Sequence, residues 1–270
     1  MIRNEGETLR RVIVCAPRRE YFRVEKPEIH NIGEPADRRR ALDQHGRLQA
    51  VLRAAGARVI NLKELPGHPN SVFTRDAGLV TPKGYIQLRP GLPTRRGEED
   101  WMAAALTKLG VRRFEAIAPP GTVEGGDVIL AGKVAFIGLS ERSNKTGVRQ
   151  LSRLLMSMDQ EVRILTLPAP HLHIGGAMSV VGPGTVICCR RIFPRGFFSG
   201  FEVIDIPCSE ATSANMIALG KGRVIVEKGS PGAAAALKKA GFKVRLVDLS
   251  EFVKGRGGPT CLIMPVERWE

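Results

Sequence analysis

Five short stretches of this 270-residue chain carry side chains that could do chemistry. They are Asn70-Ser71-Val72-Phe73-Thr74-Arg75-Asp76, Thr122-Val123-Glu124-Gly125-Gly126-Asp127, His171-Leu172-His173-Ile174-Gly175-Gly176, Ser213-Ala214-Asn215 and Gly257-Gly258-Pro259-Thr260-Cys261. A cysteine thiolate attacks carbon well. A histidine can move the protons such an attack requires. One carboxylate beside that histidine would orient it and stabilise its charged form. A second would hold a cationic substrate through charge-assisted hydrogen bonds. Taken singly, each residue has a plain structural explanation: a buried cysteine, a structural histidine, a turn cap. Their common setting, each just ahead of a strand, favours one shared nucleophilic site of the Cys–His–Glu kind with an added carboxylate.

The elements that must bring them together repeat. Gly78-Leu79-Val80 turns at Pro82-Lys83-Gly84 into Tyr85-Ile86-Gln87-Leu88, and hairpins of the same kind turn at Gly132, Gly184 and Gly222. These turn glycines recur about every 40–50 residues, the period of arrays and propellers. Helices expected at about 35–55, 98–109, 144–158 and 231–240 each run into a further strand, three of them through Gly56, Gly110 and Gly241 and one through Asp159. A unit of hairpin, helix and strand thus appears about four times. The unpaired strands near Arg11 and Leu262 would combine as a fifth unit that closes a ring. Residues 1–270 are accordingly read as a single pseudo-symmetric α/β domain, with Cys261 opening the last strand.

Composition narrows the function classes. A hydrophobic content of 43% and a charged content of 25% are ordinary for a globular chain. No apolar run reaches the ~18 residues of a membrane span, and the N-terminus lacks a signal-peptide core, so a cytoplasmic protein is expected. The net charge is +14, yet the basic residues are spread along the chain and aromatics make up 5%, which argues against a nucleic-acid platform. Much of the charge reads as solvated surface. Cys15, Cys188, Cys189, Cys208 and Cys261 form no Cys-x-x-Cys pair, so neither a disulfide framework nor a zinc site is expected.

With these residues in view, the chain resembles the guanidine-modifying superfamily of dimethylarginine dimethylaminohydrolases, arginine deiminases and amidinotransferases, over nearly its whole length. The resemblance rests on Val72-Phe73-Thr74-Arg75-Asp76, Glu124-Gly125-Gly126-Asp127-Val128, His171-Leu172-x-x-Gly175 and Gly258-x-x-Cys261. Arg89-Pro90-Gly91-Leu92-Pro93-Thr94-Arg95-Arg96 and Gly138-Leu139-Ser140-Glu141-Arg142-Ser143-Asn144 resemble the dimethylarginine branch in particular. The resemblance implies a fivefold α/β propeller (pentein), and hydrolysis of the guanidinium C–N bond of an arginine derivative without metal or cofactor.

The same resemblance suggests site roles. Cys261 would be the nucleophile, His171 the acid and base, and Glu124 its carboxylate partner. Asp76 would grip the guanidinium, and Arg95 and Arg142 the substrate carboxylate. Arg75 and Asn70 stand at substrate-binding positions where the dimethylarginine branch tends to carry acids, and His173 stands where deiminases carry an aspartate. The expected partner is a small guanidino molecule, with no nucleic acid and no membrane; a homodimer is compatible. Arginine deiminase and amidinotransferase activities are the neighbouring readings. A non-enzymatic ribosome-binding propeller is the reading from another class.

Overall fold

The computed structural model describes residues 1–207 and 213–270; Cys208 lies outside them. Strand β1 (Leu9–Cys15) is followed by helix α1 (Arg38–Ala54) and strand β2 (Arg58–Leu62). The next unit is β3 (Gly78–Thr81), β4 (Gly84–Gln87), α2 (Glu98–Lys108) and β5 (Arg113–Ala116). Then come β6 (Val128–Ala131), β7 (Val134–Leu139), α3 (Lys145–Met156) and β8 (Glu161–Thr166). A one-turn helix α4 (Ile174–Ala177) leads into β9 (Met178–Gly182), β10 (Thr185–Cys188) and β11 (Glu202–Asp205). The last full unit is β12 (Met216–Gly220), β13 (Arg223–Glu227), α5 (Pro231–Lys239) and β14 (Lys243–Val247). After α6 (Ser250–Val253), β15 (Met264–Arg268) ends the chain.

These strands form five three-stranded sheets, as the fivefold α/β propeller requires. In four of them, a hairpin supplies two antiparallel strands and the strand after the crossover pairs parallel to the second. The fifth sheet joins the chain ends: Ile13 pairs with Met264 antiparallel, and Arg11 with Arg58 parallel. Strand β15 packs beside β3, β6 beside β9, β9 beside β12, and β12 beside β1, so the first strands of the sheets line the ring. Burial follows this order. All of β3 and β6 is buried, whereas the outer strands β5 and β14 are largely exposed and carry Arg113, Lys243 and Arg245. Much of the positive charge therefore faces outward.

Local chemistry sets the element ends. Asp37 caps α1 by accepting the Arg40 N–H at 2.8 Å, and Asn144 caps α3 by accepting the Gly147 N–H at 2.8 Å. Gly110 ends α2 at φ +80°, and Asp159 does the same after α3 at φ +58°, a conformation aspartate tolerates better than most side chains. Among the described residues, no helix is long and apolar enough to cross a membrane.

Two expectations are corrected. The unit beginning at Met178 has no crossover α-helix, because Pro194, Gly196 and Gly200 interrupt the segment. An aromatic cluster covers the sheet instead, with Phe193, Phe197 and Phe198 packed together and the last two also against Phe136. Cys261 does not open the final strand; it sits in a 3₁₀ turn, Pro259–Leu262, ahead of it. Equivalent turns, Thr74–Ala77 and Gly125–Asp127, precede β3 and β6, while α4 precedes β9. These turns carry the chemistry.

Candidate active site

Glu124, the last extended residue before its turn, is 1% exposed. Its Oε1 accepts the N–H groups of Gly91 and Leu92 at 3.0 and 3.3 Å, and its Oε2 lies 2.8 Å from His173 Nε2. His173 is extended, immediately before α4, and that turn is pinned by the Ile174 N–H on Asp127 Oδ1 at 3.1 Å. Asp127 also accepts the hydroxyls of Ser140 and Ser143. Space for the imidazole exists because residue 126 is glycine. A Cβ there would lie 2.7 Å from His173 Nδ1 and 2.9 Å from Asp76 Oδ1.

Asp76 completes the carboxylate pair. Its Oδ1 accepts the Gly126 N–H at 2.8 Å, and its Oδ2 accepts from Arg95 Nη1 at 2.5 Å. One ligand atom each from Asp76, Glu124 and His173 falls within 4.8 Å of the others, a set that could hold a cation. Every carboxylate oxygen in it already accepts at least one protein hydrogen bond. Remaining lone pairs that converge on one small pocket suit a cation rich in N–H donors.

Cys261 is partly buried. The Gly258 N–H and the Asn215 amide approach its sulfur at 3.4 and 3.7 Å, while Asn215 Oδ1 accepts both the Thr260 N–H and its hydroxyl. A Cβ at residue 258 would lie 2.5 Å from the Asn215 side chain, so the glycine lets that amide close on the cysteine turn.

The electrostatics divide the roles. Burial disfavours a charged His173, but Asp76, Asp127 and Glu124 outweigh it and raise the pKa above the ordinary histidine range. Glu124 is held below the usual carboxylate range because His173, Arg95 and Arg142 overcome its burial. Burial and the nearby Asp76 push the Cys261 thiol up, against the pull of Gly258, Asn215 and Arg75. A histidine that favours its charged form and the Cys261 thiol line the same pocket, and positive charge brought there would favour the thiolate.

A narrow pocket of about 30 Å³ gathers Asn70, Phe73, Asp76, Arg95, Glu124, Arg142, His173 and Cys261. Seven of the residues singled out in the sequence meet there, but several roles change. His173, not His171, is bonded to Glu124. His171 follows the Pro168 turn, its N–H on the Pro168 carbonyl at 3.1 Å, and lines a wider neighbouring cleft. Gly175 therefore stands two residues after the histidine bonded to Glu124. Arg95 is buried, with its guanidinium on Asp76, Glu98 and the Phe73 carbonyl, so it supports Asp76. Arg75 is buried on Glu5 and the carbonyls of Gly125 and Val128, tying two turns together without lining the pocket.

Arg142 is buried with Nη1 3.9 Å from Glu124 Oε1, and Asn70 donates to the His30 carbonyl at 2.8 Å. Glu98 is not singled out in the sequence, and Asp127 enters there as part of the Glu124–Asp127 motif with no role of its own. Glu98 sits in a Glu-Glu-Asp run that reads as an ordinary acidic helix start, and only folding buries it on Arg95. Asp127 lies three residues after Glu124, which is its one sequence signal.

Residues 27–268 match the family described as N,N dimethylarginine dimethylhydrolase, eukaryotic. The chain is 34% identical over 220 residues to an uncharacterized protein of Aeropyrum pernix, covering 80% of each. It is 30% identical over 232 residues to the N(G),N(G)-dimethylarginine dimethylaminohydrolase of Pseudomonas aeruginosa, covering 86% of this chain and 90% of the relative. A crystal structure of the Pseudomonas aeruginosa enzyme, a cysteine-to-serine mutant complexed with citrulline, is similar with a TM-score of 0.84 at 27% identity, over 95% of this chain and 99% of that one. Fold and site define a guanidino-group hydrolase of the five-bladed α/β type. Within that class, the chain belongs to the dimethylarginine dimethylaminohydrolase family.

Proposed function

We propose that the protein hydrolyses the guanidinium C–N bond of Nω-methylated arginines, giving citrulline and a methylamine through a covalent thiouronium on Cys261. The observation that carries this reading is the convergence of Asp76, the Glu124–His173 pair and Cys261 on one narrow pocket. A guanidinium is planar and resonance-stabilised, so its carbon resists attack unless its N–H groups are held and a strong nucleophile stands beside it. Asp76 takes those N–H groups, aided by Glu124. The bound cation favours the thiolate of Cys261. The thiolate adds to the central carbon, and protonated His173 gives its proton to the departing nitrogen as the C–N bond breaks. Water then adds to the thiouronium, His173 takes the proton, and the C–S bond breaks to release citrulline.

Arg142 is the arginine assigned to the substrate α-carboxylate, and Asn70 Oδ1 an acceptor for its amino group. Methylated substrates are favoured because Gly175, two residues after His173, supplies no further carboxylate for an unsubstituted guanidinium with its five N–H donors. The test is citrulline release from arginine, monomethylarginine and asymmetric dimethylarginine, with and without an added amine acceptor. Higher kcat/KM for the methylated compounds is expected. A tenfold preference for arginine, about 1.4 kcal/mol in the barrier, would make the protein a deiminase. Transfer to the amine in place of citrulline release would make it an amidinotransferase.

A further inference from the structure

Two chambers of very different size meet at Cys261. The narrow one, about 30 Å³, adds Asn70, Asp76, Arg95, Glu124 and Arg142 to the shared residues, and so recognises charge. The other is a cleft of about 670 Å³, within the range of drug-sized ligand sites. Both are lined by Asn31, Leu172, His173, Arg256 and Cys261. Away from that seam, the large cleft has an apolar wall of Leu167, Ala169, Pro170 and Val253, with Glu141 and His171 among its polar groups. A methyl group needs very little of such a space.

Resting on the hydrolysis proposed above, we infer that the cleft is a leaving-group subsite that accepts bulky apolar alkyl or aryl substituents on the departing nitrogen. Asp76 and Glu124 in the charged chamber take the guanidinium N–H groups, so the reacting carbon lies at the seam beside Cys261. The departing nitrogen must also reach His173, which borders both chambers, and a substituent on it can extend only where there is room. Chemistry is unchanged. The C–S bond forms, the C–N bond to the substituted nitrogen breaks, and His173 supplies the proton with which an alkylamine or arylalkylamine leaves. Water entering through the vacated cleft then releases citrulline.

The experiment compares Nω-methylarginine with Nω-benzylarginine, following citrulline and free benzylamine. A kcat/KM for the benzyl compound within tenfold of the methyl compound is expected. A value more than tenfold lower would overturn the subsite while leaving the proposed function standing; absence of citrulline from every arginine derivative would overturn both. A second arm narrows the cleft at one of its lining residues with Val253→Trp. Val253 is 40% exposed, so the substitution leaves the core intact. It should lower benzyl turnover at least tenfold and leave methyl turnover within twofold, whereas equal changes for both substrates would contradict the assignment.

Discussion

His173 Nε2 lies 2.8 Å from Glu124 Oε2, and this contact distinguishes His173 from His171 two residues away. The buried Glu124 carboxylate also accepts the Gly91 and Leu92 N–H groups and lies 3.9 Å from Arg142 Nη1, so His173 is the nearer of its two cationic partners among the described residues.

Replacing His173 should therefore be far more harmful than replacing His171. His173→Ala is expected to lower kcat by at least the ~10²-fold typical of lost acid–base catalysis. His171→Ala, on the wall of the wide cleft, should cost less than tenfold. Steady-state kinetics on both variants checks this, and the reverse order would contradict the assignment.

The thiol should react with iodoacetamide along a pH curve whose midpoint lies above the ordinary cysteine range, because burial and Asp76 disfavour the thiolate. Asp76→Asn removes that neighbouring negative charge. It should lower the midpoint and speed alkylation at neutral pH, even as it abolishes turnover. Circular dichroism and the protection of the buried Cys15, Cys188 and Cys189 from labelling should be unchanged, because unfolding would also expose the Cys261 thiol and abolish turnover.

Arg95 stands between two buried carboxylates, 2.5 Å from Asp76 and 2.6 Å from Glu98. Arg95→Ala should destabilise the fold by about 3–5 kcal/mol, since it leaves buried charge uncompensated. Glu98 carries a further, pH-linked signature. Burial raises its pKa from 4.5 to about 7, against the pull of Arg95. The folded state then binds more protons than the unfolded state between those values, so stability falls as pH rises through that window and levels off above it. Chemical denaturation of wild type and Glu98→Gln from pH 4.5 to 7.5 should show the wild type losing ground to the variant, by on the order of a few kcal/mol. A constant difference would contradict the linkage.

The ring was readable because its signals are local. Gly84, Gly132, Gly184 and Gly222 mark the hairpins directly, and each chemically active turn sits just ahead of an inner strand. The unit between Met178 and Asp205 broke the pattern because its sheet is covered by Phe193, Phe197 and Phe198 packed against a distant element, which no periodicity encodes. The pairing of Glu124 with His173 was hidden for a similar reason. On an extended segment His171 and His173 share a face, and what separates them is the space above Gly126 and the start of α4. Arg75 and Arg95 looked available for substrate because their partners, Glu5 and Glu98, identify themselves only in the folded core.

Turnover should join Cys261 covalently to the guanidine carbon. Intact-protein mass spectrometry of samples acid-quenched while asymmetric dimethylarginine is being consumed tests it directly, with peptide mapping to locate any adduct. A transient thiouronium on the peptide holding Cys261, absent from a folded and inactive Cys261→Ser variant, is the expected result. Undiminished citrulline production by Cys261→Ser would contradict the mechanism outright.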